Sequence, residues 1–330
     1  ISNDAHFAAG GTFRVKSISG KPATLTSLYD PIISATGDVE ILGDYTGAAL
    51  LIESSGSVRF SGNVQITGPD ITLNPASPDP DIAALASSNA LIVRATRNTL
   101  LYVPSGLPTV EGGATVNASS NLPLGITLEG NVFTGGGPII LDTARGSIST
   151  RDLLTISNSG GDVTLTTQNG NISTGLVLTL GFAGRGGNVR FETQNGNITV
   201  NSLINAPSVG GVPANGGSVR LATANGNVLL QSNINTFSFS GGNGGKIEVI
   251  AGNLNNSPAL GNISTGEVNS ISGNGRGGDI RIATNQGNIT STGKILSYSD
   301  NGNGGNISIQ TKQGNIFLPL EADIQARSFG

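Results

Sequence analysis

The sequence predicts an all-β chain wound into a right-handed parallel β-helix, with about 27–33 residues in each coil, a period typical of repeat architectures. Two observations support this fold class. A glycine-rich motif recurs through the second half of the chain, with spacers of variable length between its copies, and apolar and polar residues alternate within each copy. Such repetition is typical of stacked coils. The right hand is the one that crossovers between parallel strands nearly always adopt.

Each copy of the motif opens with two glycines. The pairs are Gly160-Gly161, Gly186-Gly187, Gly216-Gly217, Gly244-Gly245, Gly277-Gly278 and Gly304-Gly305. The step from one pair to the next is therefore not constant, although the motif that follows each pair is. Because the spacing varies while the motif does not, we expect loops to absorb the differences in length.

A half-buried strand is predicted after each glycine pair, since apolar and polar residues alternate there with the period of a strand. If each copy is one coil, equivalent residues stack about 4.8 Å apart through parallel hydrogen bonds. The predicted core columns consist of Val163, Leu165, Val189, Phe191, Val219, Leu221, Ile247, Val249, Ile280, Ile282, Ile307 and Ile309.

Turns of the form Asn-Gly-Asn-Ile or Gln-Gly-Asn-Ile follow most of these strands. Glycine accepts the backbone conformation of a tight corner, and asparagine tolerates it better than most residues. The turns predict a hydrogen-bonded ladder of Asn171, Asn197, Asn227, Asn288 and Asn315. An Asn-Gly turn is also a signal for an antiparallel hairpin. Against the hairpin, the whole unit recurs about every 28 residues, which leaves room for about three strands.

Residues 1–150 carry the pattern irregularly, and residues 151–330 carry the regular repeats. In the first part, strands are predicted at residues 37–41, 56–60, 62–66, 124–128 and 138–141. A proline-rich segment near residues 68–88 is expected to leave the β-helix, because proline disrupts a central strand. Within it, residues 81–88 are a candidate short helix. Residues 1–15 are expected to close the N-terminal end or to belong to a preceding coil.

Composition excludes several functional classes. The net charge is −4 and there is no basic run, so neither nucleic acid nor an anionic membrane surface is an expected partner. With no cysteine, the chain has no disulfide framework and no thiolate site. No apolar run approaches the ~20 residues of a membrane-spanning helix, so membrane insertion is not expected. Methionine is absent even at position 1, which indicates a processed or excised segment of an exported protein.

Candidate catalytic and metal-binding residues are few. Lyases and hydrolases that act on polysaccharides need clustered carboxylates, whereas the acids here are scattered. Asp79 and Asp81 form a close pair in an irregular segment and are weak candidates for an isolated metal ion. Asp162 and Asp279 share a repeat position that other copies fill with Asn, Ser or Lys, and His6 is the sole histidine. The glycine runs do not match calcium-binding repeats. No catalytic residue and no cofactor is predicted.

Two stretches carry a resemblance to a known family. Residues 30–70, DPIISATGDVEILGDYTGAALLIESSGSVRFSGNVQITGPD, and the unit GGDVTLTTQNGNISTG resemble filamentous haemagglutinin-like exoproteins secreted by the two-partner route. The closest resemblance is to their large cyanobacterial group of β-strand-repeat proteins, over about two thirds of the chain. It implies an exported, elongated surface protein that serves as an adhesin or matrix component. A secretion domain with an NPNG-type motif has no counterpart here, so the resemblance supports no export route and transfers no functional residue.

These observations predict a non-enzymatic rod, structural or adhesive, secreted to the surface of a bacterium. The expected partners are further copies of the chain, stacked head to tail into a filament, and glycans of a host cell, matrix or surface. The alternative to head-to-tail stacking is that the chain is cut from a longer array of repeats. The alternative function is a polysaccharide lyase or hydrolase. An enzyme requires a lateral groove where Asp or Glu side chains from three neighbouring coils converge. A rod requires a side wall of Thr, Ser, Asn and scattered charge.

Overall fold

The computed structural model describes residues 5–17, 19, 21–29, 31–97, 122–210, 212–239, 241–252, 260–319 and 323–328. These residues form 33 strands and one helix, and the strands form three sheets of 11 strands each. Each strand pairs in parallel with the strands three places before and after it. The described part of the chain is therefore a parallel β-helix of eleven three-stranded coils. This confirms the predicted fold class and excludes the hairpin alternative.

The strands are numbered along the chain, so each sheet takes every third number. The first sheet contains β1 (Ala5–Ala9), β4 (Pro31–Ala35), β7 (Leu50–Ser54), β10 (Leu91–Ala95), β13 (Ile139–Arg145), β16 (Val163–Asn169), β19 (Val189–Asn195), β22 (Val219–Asn225), β25 (Ile247–Ala251), β28 (Ile280–Gln286) and β31 (Ile307–Gln313). The second sheet contains β2 (Phe13–Val15), β5 (Val39–Ile41), β8 (Val58–Phe60), β11 (Gly125–Leu128), β14 (Ser147–Thr150), β17 (Ile172–Thr174), β20 (Ile198–Val200), β23 (Val228–Leu230), β26 (Ile263–Thr265), β29 (Ile289–Ser291) and β32 (Ile316–Phe317). The third sheet contains β3 (Leu25–Ser27), β6 (Tyr45–Ala48), β9 (Val64–Gly68), β12 (Val132–Thr134), β15 (Leu153–Thr155), β18 (Val177–Leu178), β21 (Ile204–Asn205), β24 (Ile234–Ser238), β27 (Val268–Ser272), β30 (Ile295–Ser299) and β33 (Ile324–Ser328).

Coil length differs between the two parts of the chain. From β16 onward, first-sheet strands begin at residues 163, 189, 219, 247, 280 and 307, with the same spacing as the glycine pairs. In the earlier part they begin at residues 31, 50, 91 and 139. The step from residue 31 to residue 50 is shorter than any step in the regular part, and the next two steps are longer, so the predicted length of 27–33 residues per coil is wrong for these coils. Both parts nevertheless supply strands to the same three sheets.

The N-terminal segment is part of the β-helix. Residues 5–15 belong to the first described coil, where β1 pairs with β4 and β2 pairs with β5. Residues 1–4 of the predicted end segment lie outside the described residues.

The proline-rich segment contains the helix α1 (Pro80–Ser87), so the candidate helix at residues 81–88 is observed. Asp79 caps its N-terminus by accepting a hydrogen bond from the Asp81 N–H at 2.9 Å. Pro80 occupies a position where an N–H would have no partner within the helix. The helix packs against β7, and its Leu85 is fully buried. No helix in the described part of the chain is long and apolar enough to cross a membrane.

Inward side chains stack into continuous columns, as the sequence pattern indicates. One column contains Val163, Val189, Val219, Ile247, Ile280 and Ile307, and its neighbour contains Leu165, Phe191, Leu221, Val249, Ile282 and Ile309. All of them are buried except Ile307 and Ile309, which are half-buried because β31 has a described neighbour on one side only. Removing this apolar surface from water stabilises the coil stack by roughly 25 cal/mol per Å².

A third inward column carries hydroxyl groups that the sequence pattern did not reveal. Its hydroxyl-bearing members are Thr167, Thr193, Thr223, Thr284 and Thr311, and Ala251 occupies the position between Thr223 and Thr284. Each threonine donates its Oγ1 hydroxyl to the carbonyl of a corner glycine one coil earlier, at 2.6–3.0 Å. The bonds satisfy polar groups near the core and fix each corner on the coil below it. The Thr-x-x-Gly spacing that precedes each corner is the sequence signal for this column.

Candidate binding face on the first sheet

The outer face of the first sheet changes character along the β-helix. One outward row, in register from β4 to β31, contains Ile32, Leu51, Ile92, Ile140, Thr164, Arg190, Arg220, Glu248, Arg281 and Ser308. Its first three members are buried and belong to the same apolar cluster as Leu85 of α1. From Thr164 onward the row is polar or charged. The exposed part of this face is therefore the half that α1 does not reach.

Ion pairs connect successive coils across the exposed half. We define the charged ladder as Arg190, Glu192, Arg220, Lys246, Glu248 and Arg281. The Glu192 carboxylate lies 2.7 Å from Arg190 and 2.8 Å from Arg220. The Glu248 carboxylate lies 2.5 Å from Arg220, 3.4 Å from Arg281 and 3.6 Å from Lys246. Each ladder glutamate thus contacts a cation of its own coil and at least one cation of a neighbouring coil.

The arginines keep both ladder glutamates ionised. Burial alone would raise the pKa of Glu192, but hydrogen bonds from Arg190 and Arg220 outweigh it and lower that pKa below its usual value. Burial likewise opposes ionisation of Glu248, and its pKa is lowered by Arg220, Lys246 and Arg281. Neither glutamate therefore resembles the protonated general acid that glycoside hydrolysis requires at neutral pH.

A groove of about 540 Å³ lies along the charged ladder. Arg220 and Arg281 line it on the row that contains the ladder arginines. Ala222 and Ile250 belong to the next outward row, in register with Glu192. Thr166, Gln168 and Gln194 extend the lining towards the corner with the second sheet. Asp142 and Glu192 also line it, so the groove combines two guanidinium groups, two carboxylates, neutral hydrogen-bonding groups and a small apolar floor.

The acids along the groove do not converge. Asp142 lies on β13, Glu192 on β19 and Glu248 on β25, so consecutive acids are two coils, or about 9.6 Å, apart along the axis. Each one is bound to at least one arginine. This arrangement differs from the cluster of three neighbouring acids that we expect of a lyase or hydrolase.

A second charged cluster lies beside α1. Arg94 donates two hydrogen bonds of 2.6 Å to Asp81 and one of 3.3 Å to Asp142, with which Arg97 also forms an ion pair. Glu53 precedes Arg94 in the same outward row. Burial, and then repulsion by Asp81 and Asp79, raise the pKa of Glu53 against the opposing effect of Arg94.

The weak metal candidates have other roles. Asp79 caps α1, and both Asp81 oxygens accept hydrogen bonds from Arg94. Within the described residues, no group of three or more His, Cys, Asp or Glu side chains is arranged to hold a metal ion. Asp162 lies 2.9 Å from Arg185, and Asp279 lies 2.7 Å from Arg276. His6 lies in β1, in register with Ile32. Several strands of the first sheet separate β1 from the coils that contain Asp162 and Asp279.

The predicted corner asparagines form a continuous ladder through their side chains. The Oδ1 atoms of Asn171, Asn197 and Asn288 each accept the backbone N–H of the asparagine one coil later, at 2.8–2.9 Å. Asn227 reaches Asn288 through Asn262, by two bonds of 2.8 Å. The sequence pattern did not reveal Asn262, because its turn reads Leu-Gly-Asn-Ile. The Gly-Asn-Ile-Ser-Thr run that it shares with Asn171 is the signal that identifies it.

Comparison of the chain with protein-family models, with curated proteins and with solved structures gives no match.

Proposed function

We propose that this protein is a non-enzymatic structural and adhesive rod that is exported to a bacterial surface. The continuous register of eleven coils carries the proposal, since three sheets and their ladders give a stiff element about 50 Å long at the spacing of parallel strands. A place on the surface of a cyanobacterial-type cell is the part of the proposal that rests on the resemblance of residues 30–70 and of the glycine repeats to filamentous haemagglutinin-like proteins.

Adhesion is assigned to the exposed half of the first sheet. Its groove presents hydrogen-bond donors and acceptors without a convergent set of acids. Hydroxyl-rich glycans of a host cell, matrix or surface match such a lining. The rod carries the groove along its side, so one chain can attach to a surface while its ends contact other copies.

End-to-end contact between copies is the second part of the proposal. Within the described residues, β1–β3 and β31–β33 each have one sheet edge without a partner strand. An unpaired edge readily accepts further strands. Ile316, Phe317 and Ile324 of the last coil are exposed by 41%, 51% and 43%. If the columns continue, Ile316 meets Phe13 of the next copy and Ile324 meets its Leu25. Contacts of this head-to-tail kind produce open fibres.

Sedimentation velocity of the 330-residue chain over a range of concentrations tests the end contact. We expect the sedimentation coefficient to rise with concentration and Ile316→Glu to abolish the rise, because Ile316 lies in an inward column that the next copy would continue. Phe182→Glu is the matched control, because Phe182 is 52% exposed but lies on the side of the rod between β18 and β19. A single species at every concentration, or equal loss of association in both variants, contradicts end-to-end assembly.

A polysaccharide lyase or hydrolase is the second candidate, and one observation favours it. The raised pKa of Glu53, beside Asp81 and Asp79, is the property of a general acid. The assay is release of reducing ends or unsaturated products from a panel of acidic and neutral polysaccharides. If the parent protein cleaves a polysaccharide and Glu53→Gln does not, enzymatic cleavage rather than a structural role is the principal function. The rod predicts no cleavage in either protein.

A further inference from the structure

We propose that a recess at the corner between the third and first sheets binds a tetrahedral oxyanion, sulfate or phosphate, either free or as a group of a larger ligand. The recess has a volume of about 400 Å³ and is formed by the loops that join β18 to β19, β21 to β22 and β24 to β25. The inference goes beyond the proposed rod and does not depend on the groove of the first sheet. The polar side chains of its lining are those of Arg185, Asn188, Asn215, Ser218, Asn243 and Lys246.

The lining is positively charged. It contains Arg185 and Lys246, whereas none of the described residues that line it is an acid. Arg185 contacts Asp162 through Nη1, and a guanidinium has four further N–H donors. Asp162 precedes β16 and Ser218 precedes β22, so the two are about 9.6 Å apart along the axis, which exceeds the Debye length of about 8 Å at physiological ionic strength. The cations therefore lie one coil before and one coil after Ser218, and the acid lies further away.

Hydrogen bonds between the coils use up acceptors at the recess and leave donors. The Oδ1 atoms of Asn188, Asn215 and Asn243 each accept a backbone N–H from the following coil, at 2.7–3.0 Å. The backbone carbonyls of the same three residues accept N–H groups from the preceding coil. Among the described residues, the NH₂ groups of Asn215 and Asn243 and the hydroxyl of Ser218 have no hydrogen-bond partner. The recess thus suits a ligand that accepts hydrogen bonds.

The donors come from three consecutive coils, which favours a tetrahedral group over a planar one. Asn215 and Ser218 belong to the middle coil, Arg185 to the coil before it, and Asn243 and Lys246 to the coil after it. The Lys246 ammonium lies 3.6 Å from its carboxylate neighbour, beyond hydrogen-bond distance, so that contact uses none of its donors. Sulfate and phosphate direct oxygens towards several sides, whereas both oxygens of a carboxylate lie in one plane. A tetrahedral oxyanion beside Ser218 can therefore accept from all three coils.

Substitutions at position 218 test the site with side chains that the fold already accepts. Asn188 lies one coil earlier in the same row, and Asp162 lies two coils earlier. Ser218→Asp puts a carboxylate between the two cations, and Ser218→Asn is its uncharged counterpart. Lys246→Ser removes one cation of the lining. Lys294→Ser is the matched control, because Lys294 is exposed between β29 and β30 and its loss changes the net charge equally.

The measurement is equilibrium dialysis of radiolabelled inorganic sulfate against the 330-residue chain, with sodium chloride holding the ionic strength constant. We expect saturable binding to the parent protein. Lys246→Ser should weaken it about tenfold, the loss of one charge-assisted hydrogen bond. Ser218→Asp should abolish it, because the new carboxylate occupies the place of the anion and repels it. Ser218→Asn and Lys294→Ser should retain it.

Competition identifies the source of the oxyanion. Phosphate should displace the label at lower concentrations than acetate does. Displacement by glucose 6-sulfate or glucose 6-phosphate supports a site for an esterified group, and displacement by the inorganic ions alone supports a site for the free ion.

Three results overturn the inference: no saturable binding to the parent protein, binding unchanged by both Lys246→Ser and Ser218→Asp, or displacement by acetate as readily as by phosphate. Circular dichroism of each variant shows whether the β-helix is intact. An intact β-helix that binds no sulfate leaves the proposed rod standing, whereas loss of the β-helix in the parent protein contradicts the rod itself.

Discussion

The same outward row of the first sheet is apolar in one region of the molecule and charged in another. On β4, β7 and β10 it contains Ile32, Leu51 and Ile92, all buried where α1 packs against the sheet. On β19 and β22 it contains Arg190 and Arg220, which are both exposed to solvent, and Arg220 lines the groove. The inward columns show no such difference. Stacking of the coils therefore determines the residue type at the inward positions. The residue type at the outward positions depends on whether another segment of the chain covers the sheet.

Core truncation is expected to cause the largest loss in both regions. Phe60 lies in the irregular part and Phe191 in the regular part, and both are fully buried. Replacing either by alanine should lower the free energy of unfolding by about 3–5 kcal/mol. Urea unfolding measures the loss, with the exposed Phe182→Ala as control. A small loss at Phe60 alone would show that the irregular coils are packed less tightly than the regular ones.

The outward row separates the two regions most sharply. Ile92→Ala removes a buried side chain beneath the α1 segment and should cost about 2–5 kcal/mol. Arg190→Ala removes an exposed ion pair at the equivalent position and should cost about 1 kcal/mol or less. The measurement is again urea unfolding. Equal losses in the two variants would mean that α1 does not seal its half of the face.

Corner glycines provide a third comparison. A Cβ added at Gly217 would lie 1.9 Å from the Gly187 carbonyl oxygen of the preceding coil, whereas one added at Gly68 meets nothing within 4 Å. Gly217→Ala should therefore destabilise the protein by about 1–3 kcal/mol through overpacking. Gly68→Ala should be close to neutral, because the excursion begins there. Thermal unfolding distinguishes them, and a harmless Gly217→Ala would contradict the close stacking of the corners.

The smallest expected effects are those of pH, and they differ in sign between the regions. The lowered pKa of Glu192 means that its ionisation favours folding, and this stability is lost as pH falls through the folded-state pKa. Glu192→Gln should lower stability at pH 7 by about 0.2–1 kcal/mol, the range of exposed ion pairs. The difference should vanish in acid, where both proteins carry a neutral side chain.

Glu53 has a raised pKa, so its ionisation opposes folding, and stability falls as pH rises from the usual glutamate pKa through the folded-state pKa. Glu53→Gln should raise the unfolding temperature at pH 7 and leave it unchanged well below the usual pKa. Unfolding temperatures of Glu53→Gln, Glu192→Gln and the parent across this range are the measurement. The same sign for both variants at pH 7 would contradict the contrast between the two carboxylates.

Several parts of the fold are predictable from sequence because they depend on local periodicity. Alternation after each glycine pair identifies the inward residues of β16 to β31, and the Gly-Asn-Ile turn identifies their corners. Thr193 and Asn262 belong to the same repeats but are recognised only once every position of the unit is aligned. The short coil that runs from the start of β4 to the start of β7 has no spacer long enough to show as a separate repeat.

The candidate binding face depends on pairing across coils, which the sequence pattern does not display. Arg220 and Glu192 are 28 residues apart in sequence. This separation depends on the length of the intervening loop, so it is not a fixed spacing that a sequence pattern can identify. Without the register, the ladder charges look scattered. The buried outward row did have a local signal, since Leu50 to Ile52 and Leu91 to Val93 are continuous apolar runs, which are typical of a sheet covered on both faces.

Cryo-electron microscopy of the purified 330-residue chain tests the central claim most directly. The account predicts stiff rods about 50 Å long with an axial repeat of about 4.8 Å, joined end to end into longer rods as concentration rises. Compact particles without the axial repeat would contradict the coil stack itself. Separate short rods at every concentration would contradict its assembly into filaments.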